Sequence, residues 1–211
     1  MHESIGRGRG RQRQTPVLGV HRQAHLAKLR AEINASTVMP LSQAERDDLF
    51  RMREEEKIAR DVYLRLFDRW HLPPFGNISG SEQVHMDAIL ALLERHGLPD
   101  PAQGLDIGQF HNPNMQKLYN ELVDQGLRSL EDSVQVGGLI EELDIADLRA
   151  AAKRTDKAEI LAVYADLERG SRNHLRAFHR WMQRLGITYV PTHLSAADFE
   201  RIALSGHESC H

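Results

Sequence analysis

Four long apolar stripes run through this sequence, and each is interrupted near its middle by polar side chains. Residues spaced alternately three and four apart lie on one face of a helix, and an apolar stripe at that spacing predicts a helix packed on a core. The interruptions are Glu56 in the first stripe, Glu82 and His85 in the second, Glu141 and Asp144 in the third, and Ser171 and His174 in the fourth. Burying an unpaired charge costs several kcal/mol. Because all four stripes place polar side chains near their middle, we predict that these side chains meet in one polar site inside a four-helix bundle.

Local signals for helix ends give the bounds of these four segments. A serine or aspartate followed three residues later by a glutamate is a capping box, and a glycine often follows the last helical residue. Prolines and a glycine in residues 71–77 predict a loop there. The predicted helices run from Ser42 to about Trp70, from Asn77–Ser79 to His96, from about Leu130 to Lys153, and from a cap at Asp156 to Leu185.

The remaining segments are shorter or more polar. A long connection between the second and third helices carries a short helix capped by Asn112 and ended by Gly126. Residues 1–40 hold seven Lys and Arg against two Glu, a net charge of +5, and predict a basic, disordered arm with at most a short helix at residues 21–33. We therefore expect an all-α chain divided into an arm (1–40), a four-helix bundle (41–190) and a tail with one short helix (191–211).

Composition excludes several classes of protein. The single cysteine, Cys210, rules out a disulfide framework and a rubredoxin-type iron centre, which needs four cysteines. No apolar run approaches the roughly 18 residues of a membrane span. The polar, arginine-rich residues 1–13 do not resemble a secretory signal, so we expect a cytoplasmic protein.

The interrupting side chains suit metal ions. Glu82 and His85 form a Glu-x-x-His pair, whose side chains lie one helical turn apart on one face, so that Glu82 could bridge two metals while His85 binds one. Carboxylates mixed with imidazoles favour iron or manganese over a structural zinc site. The pattern therefore predicts a centre of two iron or manganese ions.

Each of these residues also has a purely structural interpretation. Glu82 could complete a capping box with Ser79, and Glu56 could belong to the solvated face of the acidic run 54–56. His174 could be an ordinary core histidine. Glu141 and Asp144 could point to solvent if the inward face of the third helix is not the one assigned here. Tyr63 is better interpreted as packing than as an electron-transfer relay. The combination of four interrupted stripes favours the metal site over these separate explanations.

Three motifs resemble a known superfamily. The run Glu56-x-x-Ala59-x-x-x-Tyr63 resembles the first helix of rubrerythrin-type ferritin-like proteins. Residues 81–85 and 170–178 resemble the domain-of-unknown-function 2202 family of that superfamily, and the resemblance extends over residues 41–204. It implies a ferritin-like antiparallel bundle with a carboxylate-bridged di-metal site, and it brings no established activity. In that resemblance Glu56 and Glu141 are the carboxylates of the first and third helices, Glu82 with His85 is the first Glu-x-x-His motif, and His174 is the histidine of the second.

The chain departs from the superfamily pattern at one position. Ser171, three residues before His174, stands where the pattern has a bridging glutamate. Asp144, one turn after Glu141, would restore the usual inventory of four carboxylates and two histidines. Glu168, one turn before Ser171, is a weaker substitute because it drifts from the inward face.

Three functions remain open at this stage. The first is an oxidoreductase that acts on peroxide or dioxygen or oxidises Fe(II), with an external electron donor because the chain has no rubredoxin-like domain. The second is a metal-storage or stress protein whose basic arm, with the arginines of residues 7–13, could bind DNA or an acidic membrane, although such arms are more often solvated tails. The third is a bundle that has lost its metal, with Ser171 as the trace. We expect a monomer or homodimer.

Overall fold

This computed structural model describes residues 16–209, which contain seven helices and no strand. In chain order the helices are α1 Pro16–Ala35, α2 Gln43–Trp70, α3 Pro73–Arg95, α4 Pro113–Gly126, α5 Leu130–Ala152, α6 Ala158–Leu185 and α7 Ala196–Ala203. The all-α class is thereby confirmed. None of these helices has the length and apolar character needed to cross a membrane.

Four long helices surround the main core. Helix α2 packs along α3 and α5 packs along α6, while α2 also contacts α5 and α3 contacts α6. The short α4 lies against α2 and α5, and α7 lies against α6. Each of the four helices with interrupted stripes therefore packs against two of the others, in the order α2, α3, α6, α5 around the core.

Several helix ends confirm the capping signals. Ser42 and Glu45 form the capping box of α2, with Ser42 Oγ accepting from the Glu45 backbone and the Glu45 carboxylate accepting from the Ser42 backbone. Asn112 caps α4 ahead of Pro113 at its first turn. These side chains satisfy backbone donors that a helix start leaves free.

Two predicted helix starts are wrong. Helix α3 begins at Pro73, inside the predicted loop, because proline is tolerated in the first turn of a helix, where its missing N–H would have no partner. Helix α6 begins at Ala158 with Lys157 at the cap position, so the predicted cap at Asp156 is not used. The Asp156 side chain is 99% exposed, while Lys157 bonds to the Glu45 carboxylate of the neighbouring helix start.

Residues 16–35 differ from the expectation of a solvated arm. They form α1, longer than the predicted short helix, and α1 packs against α3 and α6. Leu29 and Ile33 are buried in the same cluster as Ile89 and Leu167. The arginine-rich residues 1–15 and Cys210 lie outside the described residues.

A small apolar cluster joins α7 to α5 and α6, and two larger clusters lie at different depths of the bundle. One contains Leu49, Met52, Ile89, Leu92, Leu148, Val163 and Leu167, and the other contains Tyr63, Leu66, Phe75, Ile78, Val134, Ile140, Phe178 and Met182. In each of α2, α3, α5 and α6, the interrupting polar residues fall between the residues of these clusters. The folded chain thus has a polar layer between two apolar ones.

Two glycines on α5 leave space for side chains of α6. A Cβ atom on Gly137 would lie 2.3 Å from the ring of Phe178, and one on Gly138 would lie 2.4 Å from the terminal methyl of Met182. Glycine costs about 1 kcal/mol relative to alanine in a helix interior. Here its missing side chain lets an aromatic ring pack directly below the polar layer.

Candidate metal centre

The polar layer brings six predicted ligands into the interior of the bundle. Glu82 and Glu141 are completely buried, and the other members are at most 8% exposed. The six residues are Glu56, Glu82, His85, Glu141, Asp144 and His174. Carboxylates and imidazoles at this depth need partners that satisfy their charge and their lone pairs.

Glu82 lies between the two histidines. Its Oε2 is 2.8 Å from His85 Nδ1, and its Oε1 is 2.9 Å from His174 Nδ1. His85 Nδ1 is also 3.1 Å from Glu56 Oε2, and His174 Nδ1 is 3.4 Å from Glu141 Oε2. Two groups of three potential ligands, Glu56–Glu82–His85 and Glu82–Glu141–His174, therefore share one carboxylate.

Glu141 is held from its other side by a tyrosine. The Tyr63 hydroxyl donates to Glu141 Oε1 at 2.6 Å, which leaves Oε2 directed at His174. The Tyr63 ring packs on Phe75 and Phe178, with ring centroids 5.9 and 5.4 Å away. The packing role predicted for Tyr63 is therefore accompanied by a hydrogen bond that orients a candidate ligand.

The layer contains more buried acceptors than the described protein donors can satisfy. Both oxygens of Glu82, Oε2 of Glu141, Oδ2 of Asp144 and Nδ1 of His174 are buried without a hydrogen bond of acceptable geometry. Buried polar atoms without partners are uncommon in folded proteins. Converging lone pairs of carboxylates and imidazoles fit a pair of divalent cations, which would also neutralise the negative charge.

The electrostatics of the layer are those of crowded, buried acids and bases. Burial lowers the pKa of His174, but Glu82 and Glu141 outweigh burial and raise it to about 10. Burial would raise the pKa of Glu82, but the two neighbouring histidines lower it below its ordinary value. Burial, followed by repulsion from Glu56, raises the pKa of Asp144 well above its ordinary value.

Asp144 belongs to the polar layer but lies outside both groups of three. Its carboxylate interacts electrostatically with Glu56, Glu141 and Glu82, and its Oδ2 has no hydrogen-bond partner. Ser171 is completely buried, and its hydroxyl donates to the backbone oxygen of Leu167 at 3.2 Å, one turn earlier in α6.

Glu168 does not join the layer. Its Oε1 accepts hydrogen bonds from Arg149 at 2.9 Å and from Arg172 at 2.6 Å, so its charge is already neutralised on the outer face of α6.

The structural interpretation of Glu82 as a capping residue is also excluded, because Ser79 lies inside α3 and its hydroxyl donates to the backbone of Gly76.

The acidic run before the site is less solvated than such runs usually are. Glu54 and Glu55 are 7% and 6% exposed, and burial raises the pKa of both.

Two further features that the stripes did not reveal are Ser81, whose hydroxyl lies 3.1 Å from His174 Nε2, and Gly170, where a Cβ atom would lie 2.5 Å from His85 Nε2. Ser81 and Gly170 are the first residues of the motifs 81–85 and 170–178, and those motifs are the signal that could have identified them.

Comparisons with known proteins agree with the sequence resemblance at the family level. The uncharacterized protein MJ0754 of Methanocaldococcus jannaschii is 46% identical over 176 residues, which cover 83% of this chain and 95% of that protein. The crystal structure of the hypothetical protein MJ0754 superposes with a TM-score of 0.80 and covers 82% of this chain and 98% of that one. Residues 45–206 match the family described as an uncharacterized protein domain, DUF2202, and the chain belongs to that family.

Proposed function

We propose that this protein is a ferritin-like di-metal carboxylate protein that binds two iron or manganese ions and acts as an oxidoreductase on peroxide or dioxygen, or oxidises Fe(II). The observation that carries the proposal is the position of Glu82, whose two oxygens lie within 2.9 Å of two different histidine nitrogens. A carboxylate shared by two such groups is the arrangement expected of a bridging ligand.

The donor set supports the choice of metal. Glu56, Glu82 and Glu141 supply hard oxygen atoms, and His85 and His174 supply one nitrogen each. Such mixed ligands suit iron and manganese, whereas magnesium or calcium would prefer oxygen alone. Asp144 is the candidate fourth carboxylate, in place of the glutamate that Ser171 replaces.

The bound metals would supply the one-electron redox changes that peroxide or dioxygen chemistry requires. The chain's own residues would bind the metals and keep the ligand side chains in their orientations. Tyr63 fixes the orientation of Glu141, and Ser81 lies beside the outer nitrogen of His174, as groups beyond the ligands usually do in metal sites. The apolar clusters above and below the polar layer close its two ends to bulk water. Electrons would come from an external donor protein.

The test is elemental analysis of protein expressed with iron and with manganese supplied. We expect two metal ions per chain in the wild type and none in the Glu82→Ala, His85→Ala double variant, with helical content retained by circular dichroism. The matched control is Glu142→Gln, because Glu142 is as buried as Glu141 but its Oε2 accepts from the backbone of Thr192 at 2.9 Å, away from the polar layer. Stoichiometric metal in the double variant, or none in the wild type, would refute the proposal.

Turnover distinguishes catalysis from storage. An oxidoreductase consumes hydrogen peroxide or dioxygen over many cycles when an artificial electron donor is supplied. A storage protein takes up metal and then consumes no further peroxide or dioxygen. Both measurements use the metal-loaded wild type, with the double variant as the blank.

A further inference from the structure

A cavity of about 400 Å³ lies beside the candidate metal centre. Its wall is formed by α1, α3, α6 and the residues after α7, and it includes the imidazoles of His85 and His174. We call it the α1 pocket. Its volume is within the range of small-molecule sites and is far larger than dioxygen or peroxide, each about the size of one or two water molecules.

Two glycines shape this pocket. The Gly170 position leaves room for His85 Nε2, and a Cβ atom on Gly80 would lie 2.4 Å from Arg22 Nη1. Both glycines are in helix interiors, where glycine destabilises the helix. The missing side chain of Gly80 on α3 therefore leaves space for the Arg22 guanidinium of α1. The missing side chain of Gly170 on α6 leaves space for His85, a candidate metal ligand.

Arg22 carries the one guanidinium of the pocket that is not paired with a carboxylate among the described residues. Its Nη2 donates to the backbone oxygen of Asn77 at 2.8 Å, and no carboxylate of the described chain lies within 4.0 Å of it. Burial lowers its pKa, against the attraction of Glu82. A half-buried guanidinium without an ion-pair partner is a ready site for an anion.

The acids in the wall do not oppose an anion. Asp166 is paired with Arg169 and lies 2.7 Å from His25 Nε2. Glu208 accepts from Arg172 at 2.5 Å and is also paired with Arg176. Both carboxylates are therefore neutralised by bases on or beside α6.

The rest of the wall favours hydrocarbon. Most of the lining residues carry polar groups, but the surface that they expose to the pocket is mostly carbon, and Ile78 and Val84 are its aliphatic members. A phosphate site usually gathers several cations or a helix N-terminus. One unpaired guanidinium at the side of an apolar cavity matches a single carboxylate attached to a carbon chain.

We propose that the α1 pocket binds a small organic carboxylate, with Arg22 holding the carboxylate and the apolar wall holding the carbon chain next to His85 and His174. The inference deepens the proposed function, on which it rests, because it names the class of substrate that would be presented to the centre. Residues of α1 thereby become part of the binding site.

The test is calorimetric titration of the full chain, metal-free and metal-loaded, with acetate, butanoate, hexanoate and inorganic phosphate. We expect hexanoate to bind more tightly than acetate, by about fourfold for each methylene buried. Arg22→Gln should weaken hexanoate binding about tenfold or more, because a hydrogen bond to a charged group is lost. The matched control is Arg30→Gln, on the same helix but exposed and outside the pocket wall, and its affinity should equal that of the wild type. Val84→Phe, which fills the cavity, should weaken hexanoate more than acetate.

The outcomes separate this inference from the proposed function. Equal affinity of acetate and hexanoate, tighter binding of phosphate, or equal affinities of the Arg22 and Arg30 variants would each overturn the carboxylate site. Elemental analysis of the same preparations reports on the metal centre independently. Metal without hexanoate binding refutes the inference alone, whereas hexanoate binding by a wild type that takes up no metal refutes the proposed function and leaves the pocket as a carboxylate site.

Discussion

Truncating the buried side chains of α1 should destabilise the whole protein. Leu29 and Ile33 are 5% and 2% exposed and lie in the cluster that contains Ile89, Leu92 and Leu167. Leu29→Ala removes three carbon atoms from that cluster, and at about 0.8 kcal/mol for each buried methylene the lost transfer free energy is about 2.4 kcal/mol. A residual cavity adds to this cost, so we expect the free energy of unfolding to fall by about 2–4 kcal/mol.

The assay is equilibrium unfolding of the metal-free protein in urea, followed by circular dichroism. Working without metal prevents ligand binding from changing the apparent stability. The control is Val20→Ala, because Val20 is on the same helix and is 64% exposed, and its effect should stay within about 0.5 kcal/mol. The sequence alone predicted that deleting residues 1–38 would leave stability nearly unchanged. If Leu29→Ala and Ile33→Ala are both as mild as the control, α1 does not pack on the core and the structural argument is wrong.

Three further predictions concern the centre and the helix starts. Asp144→Asn should weaken metal binding about 10–100-fold in a metal titration if Asp144 replaces the missing carboxylate, and an unchanged affinity would remove it from the centre. Gly170→Ala should displace His85, since the new Cβ would lie 2.5 Å from its Nε2, and should lower metal affinity while far-ultraviolet circular dichroism stays helical. Burial alone would raise the pKa of Glu45, but hydrogen bonds, led by that from Lys157, lower it from 4.5 to about 2. Its contribution to stability is therefore complete above pH 4.5 and lost as the pH falls towards 2, and Glu45→Gln should flatten the unfolding free energy over that interval.

Much of the helical layout could be predicted because its causes are local. The capping box at Ser42 and the cap at Asn112 involve residues within one turn of each other, and both occur where the sequence indicates. The pairing of Glu82 with His85 likewise follows from their spacing along one helix. The start of α6 was mispredicted because Lys157 bonds to Glu45, more than a hundred residues earlier, and no local pattern records that contact.

The tertiary structure decided which polar residues meet. Glu168 and Ser171 are one turn apart on α6, but Arg149 of α5 holds Glu168 on the outer face, and Ser171 bonds to its own helix. Beside the α1 pocket, Arg22 likewise lies close to Gly80, and no pattern in the sequence relates these two residues.

Helical period and capping act over a few residues, so the sequence predicts the four long helices, their inward faces and the depth at which each face becomes polar. The contact of Glu82 with His174 of α6, the hydrogen bond from Tyr63 to Glu141 and the position of α1 beside the pocket depend instead on the tertiary structure. Those contacts depend on how whole helices are rotated and offset against one another. Side-chain packing between segments distant in the chain sets that arrangement, and the spacing of residues along one helix does not contain it.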